Sequence, residues 1–202
     1  MSNESMTKQP FIFSEWVRAQ IKTYMSAIGG FLARLGIHPD MITVAGMVVV
    51  GIAAIIIAQG QFQLGGVILI LGLPLDALDG AVARAMGRQD KFGGVLDSTL
   101  DRYADAFIFG GLSYYFAVQD RYDYMLLAMA ALTGSLIVSY VRARAGEIGL
   151  SVKVGLFDRL VRVIIIVAVL LIPFLLPLGL WVLAIGTNFT ALQRMWYVYR
   201  NT

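Results

Sequence analysis

Residues 41–58 read MITVAGMVVVGIAAIIIA, a run without a single charged side chain. Pro39 stands just before it, and the polar stretch Gln59-Gly60-Gln61 follows it. A helix that crosses a bilayer needs roughly 20 mostly apolar residues. The run therefore reads as a membrane span, and it sets the class for the whole chain. Of 202 residues, 58% are hydrophobic and only 14% are charged, whereas a soluble domain carries about 25% charged residues. Disorder and nucleic-acid binding are excluded with the soluble fold, because both need dense charge. Twenty-one Gly against five Pro suits helices that pack closely in a membrane. With no Cys and one His, thiol chemistry, disulfides and a zinc site are set aside.

Five more apolar runs extend outward from this one. They lie from Phe62 to Leu75, Gly93 to Val118, Tyr124 to Val141, Leu160 to Leu176 and Leu178 to Tyr199, with Pro173 and Pro177 marking the last turn. Short connectors at 59–62, 119–123 and 173–179 make neighbouring helices antiparallel. Six spans put both termini on one side, together with the connectors near 84–93 and 142–159. Of 16 Lys and Arg, all but Arg121 fall on that side, which the positive-inside rule places in the cytoplasm. Residues 11–36 carry Phe13, Trp16, Val17, Ile21, Tyr24, Ile28, Phe31, Leu32 and Leu35 at helical spacing, interrupted by Arg18, Lys22 and Arg34. This pattern predicts an amphipathic helix on the cytoplasmic leaflet. The expected architecture is all-α: a disordered tail over 1–10, the interfacial helix over 11–36, and one six-helix membrane domain over 37–202.

Residues 76–105, DALDGAVARAMGRQDKFGGVLDSTLDRYAD, put acids where hydrocarbon is expected. Ionisable groups at membrane depth are functional by default. Asp76 and Asp79 share one helix face by their i, i+3 spacing, and Asp97 and Asp101 share another by i, i+4. The two pairs converge if their helices are antiparallel neighbours. Such a cluster repels itself unless protonated or bound to cations. Oxygen-only ligands favour Mg²⁺ or Mn²⁺, and two such ions clamping a phosphoryl group form a known catalytic device. Gly80 and Ala83 leave room beside these acids, and Arg84 is placed for a phosphate.

Asp76-x2-Asp79-Gly80-x2-Ala83-Arg84-x8-Gly93-x3-Asp97-x3-Asp101 resembles the CDP-alcohol phosphotransferase signature at every fixed position. The resemblance implies transfer of a phosphatidyl group from a CDP-lipid, CDP-diacylglycerol, to an alcohol, with release of CMP. It implies that Asp76, Asp79 and Asp97 ligate a metal pair to which Asp101 contributes, and that Asp101 is the general base. By the same resemblance Gly80, Ala83 and Arg84 hold the CDP moiety beside Asp76 and Asp79, with Gly93 packed close to the nucleotide. Pro39-Asp40-Met41-Ile42-Thr43 looks like the family's Pro-Asn-x-x-Thr element, which adds Pro39 and Thr43 to that site. Asp40 replaces the usual Asn and also reads as a helix cap. The resemblance further implies a homodimer.

For the acceptor, Ser139-Tyr140-Val141-Arg142-Ala143-Arg144-Ala145 is similar to the Ser-Tyr-x-(Lys/Arg)-Ala-Arg-Ala stretch of the inositol-phosphate branch. Gly155-x3-Arg159 and Gln193-Arg194 resemble two more of its elements. By match, Ser139, Arg142, Arg159 and Arg194 bind the acceptor's phosphate, for which Arg has the charge and the bidentate geometry. The chain departs from that branch in reading Arg159-Leu160-Val161-Arg162 for Arg-Pro-Glu-Arg and Gly146-Glu147 for a Glu directly after Ala145. Glycerol 3-phosphate or a non-phosphorylated alcohol is the alternative acceptor. A cation transporter using the same acids is the alternative of another class. Asp105 continues the face of Asp101 and receives no role.

Overall fold

The computed structural model describes residues 13–87 and 91–202, without the side chains of 13–23, 73, 76 and 77. The expected tail over 1–10 lies outside the described residues. Among the described residues seven α-helices follow in order: α1 Phe13–Arg34, α2 Pro39–Ala58, α3 Phe62–Ala85, α4 Lys91–Val118, α5 Tyr122–Glu147, α6 Arg159–Leu171 and α7 Leu176–Asn201, with a 3-10 turn Pro173–Leu175 before α7. No strand occurs among the described residues.

Each apolar run of the sequence becomes one helix, with instructive differences at the ends. α2 begins two residues early because Pro39 sits at its first position, where a missing N–H is harmless. Its cap is His38, not Asp40: His38 Nδ1 accepts from the Asp40 N–H at 3.3 Å. α3 does not stop at Leu75 but continues through Pro74 to Ala85, which carries Asp76 and Asp79 on a helix. The fifth run breaks early. α6 ends at Leu171 and Ile172 turns out of the helical region with φ −120° and ψ 76°, the restriction a following proline imposes. Its 13 residues reach only about 20 Å at 1.5 Å each.

Three helical stretches, Pro39–Ala58, Tyr122–Glu147 and Pro173–Asn201, are long and apolar enough to cross a membrane. α3 and α4 are as long, with 24 and 28 residues. The stretch Phe62–Gly72 of α3 is apolar, and α4 carries Asp101, Arg102 and Asp105 along its length.

The core lies where α2, α4, α5, α6 and α7 meet, around Ile57, Leu112, Ala131, Leu170, Leu180 and Leu183. The backbones approach closely where side chains vanish. A Cβ on Gly134 of α5 would meet the Asn188 amide nitrogen of α7 at 2.8 Å and collide with Thr187 Oγ1. Asn188 Nδ2 and Thr187 Oγ1 hydrogen-bond the Ala130 and Ala131 carbonyls at 2.9 and 3.4 Å, so neither residue is free to yield. Gly134→Ala should therefore destabilise the protein by about 1–3 kcal/mol, the usual range for overpacking. Gly110→Ala, at a position with nothing within 4 Å, should leave the thermal midpoint in detergent unchanged or raised.

α1 packs against α3. A Cβ on Gly29 would lie 2.7 Å from the Ala81 Cβ. At the other end of the bundle, Arg121 pairs with Asp123 at 3.0 Å and stacks 4.2 Å over the Tyr124 ring.

Candidate active site

The first turns of α2 and α4, the last turns of α3 and α5 and the start of α6 surround the site. Thr43 joins two of them: its hydroxyl donates to Asp79 Oδ2 at 2.7 Å, while Asp79 itself is 8% exposed. Thr43 sits one turn after Pro39, whose carbonyl is 3.2 Å from the same hydroxyl. Gly93, near the start of α4, faces Asp40: a Cβ there would be 3.7 Å from Asp40 Oδ1. Arg84 folds back over Gly80, with its Nη1 3.3 Å from where a Cβ would stand. Pro39, Thr43, Asp79, Gly80, Ala83, Arg84 and Gly93 thus belong to the adjoining ends of α2, α3 and α4.

Asp76 lies on α3, and its side chain is outside the described residues. Among the described residues no three carboxylates gather into a metal cluster. The donors that Asp79, Asp97 and Asp101 offer, with Asp76 on the same helix as Asp79, are all carboxylate oxygens. That chemistry fits a hard divalent cation. The Thr43 hydroxyl on Asp79 is the type of outer hydrogen bond that orients a ligating carboxylate.

Asp101 turns towards α6. Its Oδ1 lies 2.7 Å from Arg159 Nη2, with side chains 18% and 38% exposed. Together they open onto a cavity that Ser139, Arg142 and Arg194 also line. The four residues expected to bind the acceptor's phosphate therefore share one cavity with the expected base. Two local features put Arg159 there. Gly155, with φ +99°, lets the loop after α5 turn tightly against Thr190 of α7. Asp158 then caps α6 by accepting from the Val161 N–H at 3.0 Å.

Arg194 differs from the others. It is 3% exposed, and its Nε and Nη1 donate to the Val154 and Val138 carbonyls at 3.0 and 2.8 Å. It ties the loop and α5 to α7 as well as lining the cavity. The cavity also contains residues that sequence reasoning left unassigned, Asp105 and Arg162 among them. Their signal was present in the spacing: Asp105 follows Asp101 by four residues, and Arg162 follows Arg159 by three. A second, mostly apolar pocket shares Asp101 and Arg159 and continues between the helices past Thr43, Gly46, Met47 and Val50.

The model of the CDP-alcohol phosphatidyltransferase family matches residues 36–192. The chain belongs to that family. It is a transferase, which sets aside the cation transporter. A phosphatidylinositol phosphate synthase of Streptomyces avermitilis is 35% identical over 205 residues, covering 95% of this chain and 84% of that one. An archaetidylinositol phosphate synthase of Methanothermobacter thermautotrophicus is 36% identical over 204 residues, covering 98% and 97%. The crystal structure of Mycobacterium tuberculosis phosphatidylinositol phosphate synthase with CDP-DAG bound superposes on this CDP-alcohol phosphatidyltransferase with a TM-score of 0.82 at 31% identity, covering 87% and 93% of the two chains. The same protein in complex with manganese and citrate gives a TM-score of 0.79 at 32% identity, covering 87% and 88%. Metal binding and phospholipid biosynthesis are properties of this phosphatidyltransferase family.

Proposed function

We propose that this phosphatidyltransferase moves the phosphatidyl group of CDP-diacylglycerol to inositol phosphate and releases CMP. The observation that carries the acceptor is the cavity in which Arg142, Arg159 and Arg194 surround Asp101. Arginines so close to an expected base suit an alcohol that brings its own phosphate. The relatives named as phosphatidylinositol phosphate and archaetidylinositol phosphate synthases support the same reading.

In this scheme Pro39, Thr43, Gly80, Ala83, Arg84 and Gly93 hold the CDP moiety where α2, α3 and α4 adjoin. Asp76, Asp79, Asp97 and Asp101 are the residues that would hold two divalent ions, Mg²⁺ or Mn²⁺. Bound there, the ions neutralise the diphosphate and stabilise the CMP leaving group. Arg142 and Arg159 take the acceptor's phosphate and set its free hydroxyl towards Asp101. Asp101 accepts the hydroxyl proton, the oxygen forms a bond to the phosphatidyl phosphorus, and the bond to CMP breaks. Buried carbonyl ties make Arg194 a support for that pocket as well as a wall of it.

The helices α2 to α7 form six spans, with both termini and the site on the cytoplasmic side of the membrane. The charged ends of α3 and α4 then lie at the cytoplasmic surface, and α6 completes its crossing with the 3-10 turn. α1 is the interfacial helix. Tyr24, Ile28, Phe31 and Leu35 are 67, 43, 61 and 60% exposed, and their spacing makes one apolar stripe that the bundle leaves uncovered. Residues 37–202 act as one membrane domain, paired in a homodimer.

The test supplies purified protein with CDP-diacylglycerol, Mn²⁺ and radiolabelled inositol phosphate. Label passing into the lipid phase is expected, and its absence while CMP is released with another alcohol would reject the acceptor. The arginines separate further by variant. Arg142 is exposed at the cavity edge, so Arg142→Ala should raise the KM for inositol phosphate about tenfold, the value of one charge-assisted hydrogen bond. Its thermal midpoint should not move. Arg194→Ala should lower the midpoint as well, because it leaves the Val154 carbonyl without its partner.

A further inference from the structure

Asp105 and Arg162 take no part in the scheme above, yet both line the acceptor cavity. Asp105 lies one helical turn deeper along α4 than Asp101, and Arg162 one turn along α6 from Arg159. The two meet, with Arg162 Nη2 2.8 Å from Asp105 Oδ2. They are 3% and 8% exposed. Ser135, wholly buried on α5, donates its hydroxyl to the same carboxylate oxygen. Arg162 Nη1 donates to the Phe157 carbonyl at 3.2 Å. Arg162 Nε is buried and has no hydrogen-bond partner among the described residues.

A packing role does not account for this arrangement. An ion pair placed only to fill the interior is matched or bettered by apolar side chains of the same volume. Asp105 has both of its donors on Oδ2, which leaves Oδ1 to accept. Arg162 Nε is sealed in the interior, so what the pair offers a ligand in the cavity is the carboxylate oxygen, held in place by Arg162 and Ser135. The group that answers it is a hydroxyl hydrogen.

We propose that Asp105, held by Arg162, is a specificity-determining residue at the floor of the cavity that reads a ring hydroxyl of a polyol, while the outer arginines take its phosphate. This rests on the acceptor reading given under Proposed function. Sites built to hydrogen-bond a substrate hydroxyl discriminate strongly against ligands without it, because their own polar groups are then left unpaired.

The test compares inositol phosphate as substrate with glycerol 3-phosphate as competitor, using the full chain in detergent with CDP-diacylglycerol and Mn²⁺. Asp105→Asn leaves the Arg162 charge uncompensated in the interior, so the double variant Asp105→Asn/Arg162→Gln, which buries no charge, is measured beside it. In the folded variant the KM for inositol phosphate should rise about tenfold or more, the loss of hydrogen bonds to a charged group. The Ki of glycerol 3-phosphate, which presents its phosphate and few hydroxyls, should stay within about twofold, as should the KM for CDP-diacylglycerol. A folded variant with an unchanged KM for inositol phosphate overturns the proposal. So does one in which the KM and the Ki rise together, since that is the signature of a merely structural pair. A wild-type protein that transfers nothing to inositol phosphate overturns the acceptor reading first, before any variant is made, and this inference with it.

Discussion

Asp101→Asn should reduce CMP release by about 10³-fold or more while the protein stays folded. A positioned general base alone contributes about 10²–10⁴-fold, and the same carboxylate is an expected metal ligand. The prediction of an intact fold comes from the surroundings of the pair it breaks. The Arg159 side chain is 38% exposed, so losing its partner leaves a guanidinium that water can reach, and exposed ion pairs contribute about 0–1 kcal/mol. The thermal midpoint should hardly change. The neighbouring buried pair behaves differently: removing Asp105 strands Arg162, which is 3% exposed, and breaking such a pair costs about 3–5 kcal/mol. Two acids one turn apart on α4 thus separate an activity defect from a stability defect. Undiminished turnover by the Asp101 variant would remove the base assignment.

Chelation has the second largest expected effect. EDTA should stop CMP release, and Mg²⁺ or Mn²⁺ should restore it. The carboxylates of α3 and α4 face a diphosphate in the scheme, and without cations the two repel. A graded version uses Thr43, whose hydroxyl lies 2.7 Å from Asp79 Oδ2. Loss of an outer hydrogen bond to a metal ligand typically weakens metal affinity about 10–100-fold. Thr43→Val should therefore shift the Mn²⁺ dependence of turnover to higher concentration and leave the maximal rate at saturating Mn²⁺ largely intact. Metal-independent transfer would defeat this model, and an unshifted Mn²⁺ curve would show that Thr43 does not orient a ligand.

The helices were legible in the sequence because apolar runs and prolines act locally. Met41–Ala58 needs no tertiary partner to be recognised, and Pro39 and Pro173 act within a residue or two of where they stand. The overestimate of the fifth run has the same local cause: hydropathy continues through Pro173, but the backbone does not. Helical spacing predicts that the acids of α3 and α4 converge; among the described residues Asp79 turns to Thr43 of α2 and Asp101 to Arg159 of α6. What sequence reasoning could not supply depends on contacts between distant segments. Arg194 was assigned to a phosphate, and two of its nitrogens turn out to hold carbonyls 40 and 56 residues away. Asp105 had no role because its partner Arg162 stands 57 residues off, on a helix whose start depends on the Gly155 turn. Gly134 gave no sign of its importance because the atoms it makes room for belong to Thr187 and Asn188.

The central claim is that one cavity joins the base Asp101 to arginines that select a phosphorylated polyol. The most direct measurement is CMP release by the purified protein from CDP-diacylglycerol with Mn²⁺, read with inositol phosphate, glycerol 3-phosphate, free inositol and serine in turn. The account predicts that inositol phosphate gives the highest kcat/KM and that free inositol, the same ring without its phosphate, gives little or none. Equal turnover of inositol and inositol phosphate would contradict it.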